Sequence, residues 1–194
     1  MNATPTLRSS VLKVVAMLSI MVALMQPVEA QEVLVPSNIQ LALVDKILSF
    51  DRAVSRSGDQ VIVIGIVYQK EYRKSVTEKD DLLKASEAGG RGRIQMIPIE
   101  VNGSGDNLQS SVPDEVTVLY VMPLRWFNLD IITSLSRSRR ILTVTGVSEY
   151  VHAGVALGFS VKDERPQILI NLRAARAEGA DFSSKLLNIA KVIQ

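Results

Sequence analysis

Val61-Ile62-Val63-Ile64-Gly65-Ile66-Val67-Tyr68 decides the fold. A strand with one face in water alternates apolar and polar residues. This run is apolar at both alternating sets, so both of its faces must be covered. Strands of that kind lie at the centre of parallel sheets, between layers of helices. The β-branched content suits a pleated, tightly packed neighbourhood.

Outward from this run, helical periodicity alternates with short apolar stretches. On the amino-terminal side, Ser37 with Gln40 three residues on predicts a capping box. Ile39, Ala42, Leu43, Ile47 and Phe50 then recur at helical spacing. On the other side, Ser75 to Ala88 reads as a charged helix with Leu82 and Leu83 inward, ended by Gly89-Gly90. Ile94 to Val101 reads as a second strand, and Pro98 argues for an edge or a bulge near it. Asn102 to Glu115 is rich in Gly, Ser, Asn and Gln and reads as a mobile loop.

Val116 to Met122 is a buried strand by the same pattern, and Asn128 to Leu135 a short helix followed by Arg137, Arg139 and Arg140. Ile141 to Thr145 reads as a strand and Ser148 to Ala153 as a short helix. Val155 to Lys162 and Gln167 to Asn171 flank Asp163-Glu164-Arg165-Pro166, a four-residue polar connection that predicts an antiparallel hairpin. Leu172 to Glu178 is helical and Gly179 stops it. Ser183 or Asp181 caps a last helix carrying Leu186, Leu187, Ile189, Ala190 and Ile193. The expected fold is α/β: a single-domain sandwich with a mostly parallel central sheet, one antiparallel hairpin and helices on both faces.

The amino terminus reads as an address. Arg8 and Lys13 give a positive start, and Val14 to Met25 is apolar save for Ser19. Val28-Glu29-Ala30 supplies small residues for signal peptidase, with cleavage before Gln31. The apolar run is about 12 residues, short of the roughly 20 that a spanning helix needs. Residues 1–30 are thus expected to be a signal peptide, residues 31–194 the α/β domain, and the site of action outside the cytoplasm.

Composition narrows the chemistry. The net charge is only +2, with 22 basic and 20 acidic residues, so no field draws a nucleic acid. There is no cysteine and a single histidine, His152. That removes thiolate and His-rich metal sites, a Cys nucleophile, a lipid anchor on Cys and any disulfide. Gly89-Gly90-Arg91-Gly92-Arg93 follows a helix, whereas a phosphate loop follows a strand, so it reads as a basic turn. No Gly-x-Ser-x-Gly elbow surrounds Ser148 or Ser160 to pair with His152. Asp80 and Asp81 are adjacent and point to different sides of their helix. Asn102-Gly103-Ser104 is a formal glycosylation acceptor, meaningful only in a eukaryotic secretory pathway. No catalytic residue, metal site or cofactor motif is assigned.

Two groups are candidate partner-binding residues. Trp126 and Phe127, beside Pro123 and Leu124, leave a strand at its carboxyl end, where clefts form in α/β sheets. They serve either as core or as interface anchors. Arg137, Arg139 and Arg140 suit a helix terminus, an anion or an acidic partner.

The carboxy-terminal half resembles the YfiR-like (HmsC-like) family of bacterial periplasmic proteins. The resemblance rests on Ile141-Leu142-Thr143-Val144-Thr145, on Gly154 through Gly158-Phe159, and on Ile170-Asn171-Leu172 with Ala174-Ala175. It continues through Ser183-Ser184-Lys185-Leu186-Leu187-Asn188-Ile189-Ala190-Lys191. Asp45-Lys46-Ile47-Leu48 fits the family's opening helix more loosely. Physical roles for these residues are structural: close approach at Gly158, a turn-closing amide at Asn171, an N-cap at Ser183 and Ser184, docking by Leu186 and Leu187. The resemblance implies a non-catalytic regulator that represses a membrane-bound diguanylate cyclase by binding its periplasmic sensor domain, lowering cyclic di-GMP and biofilm formation. A homodimer is a further expected partner arrangement. The alternative is a periplasmic small-molecule-binding module serving a transporter or sensor kinase.

Overall fold

The computed structural model describes residues 35–55, 61–89 and 93–193. The expected signal peptide, most of the lead expected from Gln31, and Gly90 to Gly92 lie outside them. In chain order the elements are α1 (Ser37–Ser49), α2 (Arg52–Ser55), β1 (Ile62–Tyr68), α3 (Arg73–Ala88), β2 (Ile94–Glu100) and α4 (Leu108–Ser111). They continue with β3 (Val118–Val121), α5 (Leu129–Arg139), β4 (Leu142–Thr145), α6 (Ser148–His152) and β5 (Leu157–Lys162). The last are β6 (Arg165–Asn171), α7 (Leu172–Ala177), α8 (Ser184–Ile189) and β7 (Lys191–Ile193).

One seven-stranded sheet runs in the order β2-β1-β3-β4-β5-β6-β7. All neighbours are parallel except β5 and β6. The expected α/β sandwich is therefore present. β1 is covered on both faces. Ile62, Ile64 and Ile66 join Val44, Leu48 and Leu82 from α1 and α3, together with Ala174 and Leu186 from α7 and α8. Val63 and Val67 join Leu108 and Val112 around α4, with Ile132 and Leu135 of α5. Gly65 allows this packing: a Cβ there would sit 2.5 Å from Ile99 Cδ1.

Several local expectations are corrected. In α1 the buried stripe is Gln40, Val44, Ile47 and Leu48, and Ile39 is 37% exposed. Gln40 forms no capping box. Its amide donates to the Val35 carbonyl and accepts from the Tyr120 hydroxyl inside the core. A buried phenol outcompetes a helix end for that oxygen, and burial holds the Tyr120 hydroxyl protonated. The 102–115 segment, read as a mobile loop, carries the short helix α4 and its own hydrogen bonds. Asn102 Oδ1 accepts from Gly105 N–H at 2.7 Å, Asn107 Nδ2 donates to Glu100 O at 3.0 Å, and Leu108 and Val112 are buried.

Helix α5 runs on through Arg137 and Arg139, and Arg140 closes it in the left-handed conformation. The hairpin turn is shorter than expected: Asp163 and Glu164 both take positive φ, and Arg165 and Pro166 already pair with β5. That is the two-residue geometry that matches strand twist. The last helix stops at Ile189, and Lys191 to Ile193 pair with β6, where the strand's free backbone groups are waiting. Ile189 and Ile193 are consequently not one helical face, and Ile189 is 66% exposed. Ser183 occupies the N-cap position without a side-chain bond, while its N–H donates to Phe50 O at 3.1 Å.

Between α5 and β4 lies Glu178, only 2% exposed. Its carboxylate accepts from the Thr143 N–H at 2.8 Å, the Thr143 hydroxyl at 2.8 Å and the Ser136 hydroxyl at 2.9 Å. Burial pushes its pKa up to about 7, against the pull of those bonds and of Arg137. The folded state therefore holds this proton at pH values where the unfolded chain has lost it. Stability from this group is full below about pH 4.5 and is lost as pH rises to about 7, a span of about 3 kcal/mol. Urea unfolding at a series of pH values is expected to show that fall, and Glu178→Gln is expected to flatten it.

Candidate functional site

β2 and β3 lie on opposite sides of β1, so the winding reverses between β1 and β3. At such a switch point the loops leaving the two strands diverge and a crevice opens at their carboxyl ends. Here the crevice is spanned by the chain's own groups. Gln69, directly after β1, is buried. Its side-chain amide accepts from Arg125 N–H at 2.6 Å and donates to Arg125 O at 3.2 Å. Its own N–H donates to the buried Ser75 hydroxyl at 3.0 Å. Tyr150 of α6 does the same one residue earlier. Its hydroxyl accepts from Leu124 N–H at 2.8 Å and donates to Leu124 O at 3.0 Å. Burial raises the Tyr150 pKa, so the phenol keeps the proton that the second bond needs.

Two consecutive residues of the loop after β3 thus have both backbone polar groups held by side chains from other elements. The next residue is Trp126. It is 87% exposed and has φ of 51°. A left-handed conformation costs a non-glycine residue about 1–2 kcal/mol. Such strain persists only where the surroundings over-determine it, and it gathers at binding sites. The Arg125 guanidinium lies 4.3 Å from the indole centroid. Phe127 turns the other way, packing against the α4–α5 core; a Cβ on Gly105 would sit 2.8 Å from its ring. Asn128 then caps α5, accepting from Asp130 N–H at 3.0 Å.

The aromatic pair is therefore split: Phe127 is packed and Trp126 is presented. The arginines lie at the other end of α5, roughly 15 Å along a helix rising 1.5 Å per residue. Arg139 is engaged structurally, donating to Val112 O at 2.8 Å, Pro113 O at 2.9 Å and Asp114 Oδ1 at 2.8 Å. Arg137 and Arg140 are exposed. Sequence reasoning missed Gln69 and Tyr150, the residues that brace the loop. A glutamine closing an apolar strand was the available signal.

The motif residues of the carboxy-terminal half occupy structural positions. A Cβ on Gly158 would sit 2.3 Å from Val151 Cγ2. Asn171 accepts from Ala174 N–H and donates to Val151 O, both at 3.0 Å. Phe159 and Leu186 are buried, Leu187 is half-buried, Ser184 opens α8, and Gly154 has φ of 109°. Among the described residues no group of three His, Cys, Asp or Glu could hold a metal. Among them, too, no helix is long and apolar enough to cross a membrane.

The YfiR/HmsC-like family pattern matches residues 37–191, from α1 into β7. This chain belongs to that family. The family's role is coarsely that of a periplasmic regulator, and membership supports the same coarse role here. Comparison with curated proteins finds no match. Solved structures share the fold. A domain from Streptococcus pneumonia crystallised with L-Trp superposes with TM-score 0.62 at 14% identity, over 81% of this chain and 62% of that one. A conserved domain protein from Vibrio cholerae gives 0.57 at 16%, over 82% and 60%. An open, ligand-free substrate-binding protein with adhesive properties from Clostridium difficile gives 0.57 at 16%, over 78% and 59%. The chain spans about 60% of their lengths.

Trp126→Gly is expected to stabilise the fold by about 1 kcal/mol, because glycine adopts positive φ without strain. Gln69→Leu is expected to cost about 1–3 kcal/mol, because it leaves Arg125 N–H and O without their partner. Urea midpoints at unchanged slope measure both. Trp126 is the one tryptophan of the chain, so its emission reports this loop alone.

Proposed function

We propose that this protein is an exported regulator, cleaved after Ala30, that docks on the periplasmic domain of a membrane sensor and holds it inactive. The sensor class we assign is a diguanylate cyclase, so that binding lowers cyclic di-GMP and biofilm formation. Family membership supports the regulatory half of this reading. Trp126 is the observation that carries the docking half: an indole 87% exposed on a loop whose preceding backbone is held by Gln69 and Tyr150. Tryptophan and arginine are the residues most enriched among interface hot spots, and here Arg125 stacks on the indole. A backbone already held loses little freedom on binding, so more of the contact energy appears as affinity. Phe127 seats the loop from beneath.

The small-molecule alternative is not favoured, because the Gln69 amide spans the crevice where such a ligand would enter. The larger hollows lie elsewhere, about 630 Å³ between α4 and α5 and about 570 Å³ between α1 and α3.

The test uses the tagged chain from Gln31 on detergent-solubilised membranes of its own organism. Capture of a protein with a periplasmic sensor and a cytoplasmic cyclase domain is expected. Trp126→Ala is expected to weaken that capture at least tenfold while shifting stability by no more than about 0.5 kcal/mol. Cells lacking the protein are expected to hold more cyclic di-GMP, and Trp126→Ala to fail in restoring the level. Undiminished capture by the variant would remove Trp126 as the anchor. A transporter or sensor kinase in place of a cyclase would overturn the cyclase assignment.

A further inference from the structure

Where the last turn of α5, the end of α6 and the start of α7 meet, the surface forms a hollow of about 420 Å³. Its lining includes Arg137, His152, Gly154, Asn171 and Arg173. Two of these carry positive charge, and no lining residue is acidic. Among the described residues, Arg137 and Arg173 make no ion pair and no hydrogen bond. Glu178 acts on Arg137 through space, yet its own oxygens are taken by Ser136 and Thr143.

Ordinary helix electrostatics accounts for Arg137 and not for Arg173. Arg137 sits in the last turn of α5, where the macrodipole favours a cation. Arg173 is the second residue of α7, at the end that disfavours one, and the first turn of α7 has no acidic residue to offset it. Gly154 keeps the hollow open. Its φ of 109° suits only glycine, and a Cβ there would sit 3.3 Å from Arg137 Nη2.

We propose that this hollow binds a soluble phosphate monoester, its dianionic head held by Arg137 and Arg173 with His152 as a third donor. The two guanidinium charges match the two charges of the head, and planar forks suit its oxygens. The volume lies in the range of roughly 300–1,000 Å³ typical of small-ligand sites, which leaves room for a small organic body. None of the exposed large apolar side chains, Ile39, Val61, Trp126, Ile189 and Val192, lines the hollow, so a lipid tail has nothing to lie on. The inference is independent of docking at Trp126, which is on the other end of α5.

Titration calorimetry with inorganic phosphate and with glycerol phosphate, at constant ionic strength in chloride, tests it. Saturable binding of one equivalent is expected. Arg137→Gln and Arg173→Gln are each expected to weaken it at least tenfold, and Trp126→Ala to leave it unchanged. Because both arginines are exposed, their circular dichroism and urea midpoints should match the parent protein. The proposal is overturned if neither probe binds saturably, or if the arginine variants bind as well as the parent. It is also overturned if binding appears only with phosphatidic acid vesicles, or if only the capture of a protein partner responds to the arginine variants.

Discussion

Everything in this structure hangs on the burial of β1 on both faces. Its isoleucines fill the core beneath α1, α3, α7 and α8, while Val63 and Val67 fill the core beneath α4 and α5. A strand so placed must have hydrogen-bonded neighbours on both edges, and β2 and β3 supply them. Because β2 and β3 take opposite sides, the winding reverses there. The one position where an α/β sheet opens is thereby set beside Gln69 and the loop after β3.

What the protein does with that opening separates it from a ligand-binding cleft. Gln69 and Tyr150 use their side chains as backbone mimics, satisfying Arg125 and Leu124 as a neighbouring strand would. Each bond joins the loop to a side chain fixed in another element, so the four together set the path of its backbone. The residue that follows is strained and solvent-facing at once. An apolar side chain of that size gains nothing for the fold by being exposed, and a fold optimised only for stability would carry glycine there.

Behind the site, the family motif reads as scaffolding. Gly158 lets Val151 close on the sheet, and Asn171 ties α6 to the start of α7. The network around Glu178 joins α5, β4 and the end of α7 through Ser136 and Thr143. A carboxylate buried this way costs stability when ionised.

Sequence alone determined the fold class, the central strand, the hairpin and the family, and narrowed Pro98 of β2 to an edge or a bulge. Each of these follows from local periodicity, from proline's missing N–H or from a linear motif. It also singled out Trp126 and Phe127 by position after a strand. Tertiary structure decided the rest. Gln40 left its helix cap for Tyr120, and residues 191–193 became a strand because β6 offered an open edge. Trp126 and Phe127 took opposite environments because Gln69, 57 residues upstream of Trp126, and Tyr150, 24 downstream, hold the backbone between them. Arg173 met Arg137 only because the sheet brings α7 beside α5. Local patterns record burial and backbone preference. Which distant side chain satisfies which backbone group is a property of three-dimensional proximity, and no window of sequence contains it.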